Sequence, residues 1–223
     1  FDPVKGQRCY SDEAWTLDDK SRTCYKWNVI KASDASSDTV ELLLDHDLPG
    51  DTAWISLEDY QAAGGNAEEY GQYGNNKYGP ITALKHLKNA TDSWNGVVTL
   101  TSADNVTRQN GSGSTYTIDY NGYKARLISG QEIAAIAGDN EWTPDGDSID
   151  GLPTWVYSNM AVNAEMEITD VYEHAVYWTD SALAWNPSFA WSVYSDGTLG
   201  NNYVSTAYGT GVRPVVKILK SNL

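Results

Sequence analysis

Between Asp180 and Gly211 the chain runs for 32 residues without a Lys, Arg, Glu, Gln, Met or His. The gap is not an apolar run. Asn, Ser, Thr, Gly and Ala fill it around Trp185, Phe189, Trp191, Tyr194, Tyr203 and Tyr208. Rigid aromatics give contact area at small entropic cost, and short polar side chains adapt their hydrogen bonds, so this is the composition of selected binding loops. The plainer alternative is a set of short strands at a Tyr-rich, Lys-poor edge of an ordinary sheet.

Basic residues are scarce throughout, 15 against 30 acids, for a net charge of −15. Nucleic-acid binding needs clustered Lys and Arg, so it is excluded as a function class, and anionic membrane surfaces are disfavoured for the same reason. No apolar run is long enough to cross a bilayer, and Phe1-Asp2-Pro3 opens the sequence without a charged-then-apolar leader. Only two Phe accompany 9 Trp and 15 Tyr, so most large rings carry a polar handle suited to half-exposed positions. The only two cysteines, Cys9 and Cys24, have no further Cys or His beside them to complete a metal site. They read as a disulfide, which places the protein outside the cell or at its surface, with any leader or anchor outside this sequence.

A length of 223 residues, with no internal repeat and no convincing linker, reads as one domain spanning 1–223. Strand-like runs Cys24 to Lys31 and Thr39 to Leu44 flank a turn-rich 32–38 and predict a hairpin, making 1–47 an N-terminal region packed on the rest. Beyond Asp47 the chain reads as irregular to Tyr78. Pro80 opens a short amphipathic helix carrying Ile81, Leu84 and Leu87 and ending near Asp92. Thr115 to Tyr120 and Tyr123 to Ile128 flank Asn121-Gly122, which predicts a hairpin with a type I′ turn. Ser129 and Glu132 form a capping box for a second helix that stops at Gly138. After an acidic loop, Asp139 to Gly151, the remainder reads as strands: Thr154 to Tyr157, Ala175 to Thr179, Phe189 to Tyr194 and Gly211 to Leu219. The class implied is α+β, with two short helices and antiparallel strands.

The stretch from Gly122 to Ala134, then Tyr177-Trp178-Thr179, Ala190-Trp191-Ser192-Val193 and Tyr208 to Val215, with Val40 to His46 upstream, resembles exported proteins of gut Firmicutes that carry C-type-lectin-like domains. The C-terminal part is similar to the variable proteins of diversity-generating retroelements, found in bacteria and their prophages. The resemblance implies a C-type-lectin-like fold preceded by the disulfide-containing hairpin region, and a ligand-display region over 177–219. It also implies that Tyr177-Trp178 and Val212-Arg213-Pro214-Val215 are fixed core strands, with Arg213 a buried, paired cation. Those systems mutate adenines, and an AAC codon changed at its first two bases cannot reach Lys, Glu, Gln, Met or Trp. That set overlaps strongly with the types missing from Asp180 to Gly211, which gives the gap a mechanism from which Trp185 and Trp191 depart.

The surface expected to contact ligand comprises Leu183, Trp185, Asn186, Ser188, Phe189, Ser192, Tyr194, Asn201, Asn202, Tyr203, Ser205 and Thr206. Phe189, Tyr194, Asn201, Asn202, Tyr203, Ser205 and Thr206 should share one contiguous exposed face, with Trp191 buried. The partner would be a protein or a glycan, and no cofactor is implied. Sugar-binding C-type lectins hold calcium through Glu-Pro-Asn or Gln-Pro-Asp followed by Trp-Asn-Asp, whereas this chain offers Trp185-Asn186-Pro187. Asp145, Asp147 and Asp150 miss the calcium-loop spacing and read as a solvated loop. Formylglycine-generating enzymes share the fold class but need active-site cysteines that are lacking. His46, His86 and His174 stand apart from any nucleophile motif, and His46 between Asp45 and Asp47 reads as a strand-end residue in a polar turn. The expected function is therefore an adhesin-like or receptor-like binding protein and not an enzyme. The alternatives are a subunit of a surface fibre or pilus tip and, less favoured, a glycan-acting hydrolase.

Overall fold

The computed structural model describes residues 1–16, 19, 21–31, 37–159 and 176–222; residues 32–36 of the predicted turn over 32–38, His174 and Ala175 lie outside them. Strands β1 (Trp27–Lys31) and β2 (Thr39–Leu44) come first, then α1 (Leu57–Ala62), α2 (Ala67–Tyr70) and α3 (Ile81–Thr91). The strands β3 (Val106–Gln109), β4 (Thr115–Ile118) and β5 (Arg126–Leu127) lead to α4 (Gly130–Ile136) and α5 (Thr154–Tyr157). The chain then gives β6 (Val176–Ala182), β7 (Phe189–Tyr194), β8 (Leu199–Tyr203), β9 (Thr210–Val212) and β10 (Pro214–Leu219). The class is mixed α+β.

Two four-stranded sheets have the orders β1-β2-β10-β5 and β8-β7-β6-β9, and β3 pairs with β4 alone. Among the described residues every pairing between strands is antiparallel except β6 with β9. Successive side chains on a strand point to opposite faces, and here both faces are covered. Leu42, Leu44, Val216 and Ile218 pack with Trp54, Leu87, Trp178 and Ala190. Leu43 and Val215, on the other face, pack with Ile133, Tyr177, Trp191, Val193 and Leu199. A strand buried on both faces must be apolar or fully bonded, and β6 meets that demand at every position. Trp178 donates Nε1–H to the Thr52 carbonyl at 2.8 Å, and Thr179 donates its hydroxyl to Trp191 O at 2.7 Å.

The first hairpin forms as expected, β1 on β2. Helix α3 starts after Pro80, and α4 carries the reciprocal Ser129–Glu132 capping box. Cys9 and Cys24 are bonded, with Cα atoms 5.8 Å apart. The Asn121-Gly122 hairpin is not there. Strand β4 pairs backward with β3, and β5 pairs with β10. Gly122 has φ +82°, but Asn121 is not at positive φ, so the two left-handed residues of a type I′ turn are missing. The turn bond itself is made, Tyr123 N–H to Tyr120 O at 3.0 Å, but beyond it Leu100 takes the backbone sideways, its N–H donating to Tyr123 O and its carbonyl accepting from Gly122. The expected strand 154–157 is helix α5, whose Val156 carbonyl accepts from Tyr177 and Arg213. Helices α1 and α2 occupy the supposedly irregular stretch, capped by Ser56 and Asn66. Strands β3 and β8 were not anticipated either. No helix among the described residues is long and apolar enough to cross a membrane.

Candidate functional site

The display segment is mostly framework. Strand order puts β8 at a sheet edge, next to β7, which in turn lies against the buried β6. In β6, the stretch between Trp178 and Ala182 bulges relative to β7. The bulge turns the Asp180 carboxylate onto Arg108, with Arg Nε and Nη2 at 3.1 and 2.9 Å. Burial pushes the Asp180 carboxyl up, while Arg108 draws it down. Asp180 and Ser181 are thus interior, not displayed.

Leu183 and Ser192, both expected to meet ligand, are 1% and 0% exposed. Leu183 follows β6 into the core beside Trp142 and Trp191, and Ser192 pairs across to Trp178 in the middle of the sheet. Neither side chain reaches solvent. Trp191 is buried as expected, its indole donating to Pro144 O at 2.9 Å.

The pleat also divides the expected single face. Opposite pairs Phe189–Tyr203 and Trp191–Asn201 lie on one side of the sheet, whereas Asn202, opposite Ala190, lies on the other with Tyr194. Tyr194 and Asn202 have a local task. The Tyr194 ring lies along Gly200, and its hydroxyl donates to Asn201 O at 2.7 Å. Asn202 Oδ1 accepts the Tyr203 N–H at 2.8 Å, and Ile149 bonds both backbone groups of Leu199. These bonds occupy backbone groups that an edge strand would offer to another chain.

What remains at the surface is a smaller aromatic cluster. Tyr203 stacks on Tyr73 at 4.2 Å and tilts against Phe189 at 4.4 Å, and Tyr73 is 44% exposed. Tyr73 was missed in the sequence because it lies more than a hundred residues from its partners. Its carbonyl accepts from Ser205, and the adjoining Gly74 has φ +86° with no room for a side chain: a Cβ would sit 2.5 Å from Val204 Cγ2. Trp185, 62% exposed, stands at the tip of the loop between β6 and β7.

That loop is fixed from below by Asn76, which is fully buried. Its Nδ2 donates toward the carbonyls of Leu183, Asn186 and Phe189 at 3.3, 3.0 and 2.8 Å, and its Oδ1 accepts from Gly111. Asn186 Oδ1 accepts the Ser188 N–H, so Asn186 shapes the loop. Asn186, Ser188, Asn201, Ser205 and Thr206 are all half-buried around the cluster.

The other candidate groups are structural. Arg213 is buried against Asp47, with Nε at 2.9 Å from Oδ1, lies over the Tyr177 ring, and donates to Val156 O and Ser158 O. Burial raises the Asp47 carboxyl to about 6 against the pull of Arg213. His46 follows the end of β2 between Asp45 and Asp47, as expected. It is buried, stacked on Trp15 at 3.9 Å with Tyr25 edge-on at 4.8 Å, and desolvation holds its pKa down at about 3. Among the described residues no three His, Cys, Asp or Glu side chains converge on a point that would hold a metal ion. No family model, curated protein or solved structure matches the chain.

Proposed function

We propose that the protein is an exported, adhesin-like or receptor-like binding protein on a C-type-lectin-like scaffold, contacting a protein or glycan through Tyr73, Phe189, Tyr203 and Trp185. The stack of three rings carries this reading. Aromatic side chains grouped at a surface, on backbone anchored by a buried amide, match the anchor residues of binding interfaces. Asn201, Ser205 and Thr206 would tune the contact from the rim. If a retroelement diversifies this segment, variation is confined to such half-buried positions, since Leu183, Trp191, Ser192, Val193 and Leu199 are packed inside. Flanking DNA with a template repeat differing at adenines would establish that origin.

The capped β8 edge favours ligand capture over a fibre subunit that grows by strand addition, because Tyr194 and Asn202 already occupy edge backbone groups. The deciding experiment is a glycan and protein array probed with the native protein and with Tyr73→Ser/Tyr203→Ser. Capture lost in the double variant supports the reading. Capture unaffected by it, or concentration-dependent self-assembly through this surface, would transfer the case to the fibre subunit.

A further inference from the structure

A recess lies apart from the aromatic cluster, between the segment carrying α2 and the β3–β4 hairpin, with a volume of about 610 Å³. That is within the roughly 300–1,000 Å³ of small-ligand sites. We infer that this groove binds a neutral, polyhydroxylated ligand, a short stretch of uncharged glycan. The inference goes beyond the proposed function and stands independently of it.

Strand β4 makes one wall by simple alternation: Tyr116 and Ile118 enter the core, so Thr115 and Thr117 turn their hydroxyls outward. Ser112 and Ser114, in the turn before β4, extend the same row of hydroxyls. Across the groove lie Asn75 and the half-buried ring of Tyr78. Hydroxyls and amides that both donate and accept suit sugar hydroxyls, which do the same. The Tyr78 ring, with Lys77 Nζ over one face at 5.2 Å from its centre, adds apolar surface for the C–H side of a pyranose.

Charge decides against the other small-ligand classes. Among the described residues the only charged side chains lining the groove are Glu69 and Lys77, and Lys77 Nζ lies 3.6 Å from Glu69 Oε2. The pair cancels locally, so the site has no unspent charge for an ion, and the net charge of −15 repels anions at longer range. The walls are also preorganised. Asn75 donates to Glu69 O and accepts from Lys77 N, while the buried Asn110 takes Ser112 and Ser114 N–H on its Oδ1. Little ordering is left to oppose binding.

The test is isothermal titration and amide chemical-shift mapping of the whole protein with the neutral hexaoses of glucose (α- and β-linked), xylose and mannose, with oligogalacturonate as the anionic comparison. The expected result is saturable binding of at least one neutral oligosaccharide, indifferent to EDTA and to added salt, with shifts at Asn75, Ser112, Thr115 and Thr117. Thr115→Trp, which fills the groove from an exposed strand position, should weaken it by about tenfold or more. Glu69→Gln/Lys77→Gln, which replaces the ion pair with neutral amides without changing net charge, should leave it unchanged. Tyr73→Ser/Tyr203→Ser should leave it unchanged. Absence of heat and shifts with every neutral sugar, preference for oligogalacturonate, or binding that survives Thr115→Trp in a folded protein would overturn the inference.

Discussion

Lowering the pH should expose the strain of keeping His46 neutral. Its imidazole lies between Trp15 and Tyr25 with Arg213 nearby, and burial together with that cation holds its pKa at about 3 against a partial counter-pull from Asp45. An unfolded chain binds the proton near the ordinary value of 6.5. The histidine's contribution to stability is therefore intact above pH 6.5 and is lost progressively as pH falls toward 3. Between pH 7.5 and 4.5 the loss amounts to about 2–3 kcal/mol at ~1.4 kcal/mol per unit. Asp47 acts in the opposite sense. Its pKa is raised to about 6, so the folded state takes up a proton before the unfolded one, and stability rises as pH falls from 6 toward 4. The two effects partly cancel in the native protein, so its own pH profile is a poor test. His46→Phe keeps a ring on Trp15 and removes only the titration. Urea unfolding of both proteins at pH 7.5 and 4.5, disulfide intact, should show the variant gaining about 2–3 kcal/mol on the native protein over that interval. A gap constant to within about 0.5 kcal/mol would refute the burial argument.

Four further outcomes are expected. Trp178→Ala should lose about 3–5 kcal/mol through a cavity at the centre of the sheet, and a thermal melt shifted by only a few degrees would contradict its place in the core. Tyr194→Phe should lose about 1 kcal/mol with the bond to Asn201 O; equal stability in urea would mean that the edge needs no cap. Tyr73→Ser/Tyr203→Ser should lose no more than about 1–2 kcal/mol while abolishing array capture of every ligand that Thr115→Trp still binds, and a collapse in stability would make the cluster core. Reducing Cys9–Cys24 should remove about 3 kcal/mol for a loop of that length in the chain-entropy picture, as measured by urea unfolding with and without reductant.

What was legible in the sequence is what neighbours in the chain decide. Ser129 and Glu132 are three residues apart, and their capping box formed. Cys9 and Cys24 had no competing thiols, and they bonded. Tyr177, Trp178, Val212 and Val215 were expected inside only on the strength of the resemblance, and all four are buried. Asn121-Gly122 misled because a turn dipeptide records only local preference, and Leu100 outbid the local pairing from a distance. The surface suffered more. A period of two along β7 and β8 would have shown that Tyr194 and Asn202 face away from Phe189 and Tyr203, had β8 been recognised among Asn, Gly and Tyr. Composition said what kinds of residue were present in the segment, not which way they pointed. Asn76 gave no signal at all: nothing local distinguishes it from Asn75, and its partners lie beyond residue 110.

The pairing of β10 with β2 joins Leu43 to Val215 and encloses most of the chain in one loop. Contacts of such sequence separation make folding slow, because the entropy of closing the loop must be lost before the strands reward it. Until β10 is made and finds its place, Leu42, Leu43 and Leu44 have a neighbour on one side only, and neither core can close. A nascent chain of this design stays open until its far strand arrives, and only then can it commit to its final shape.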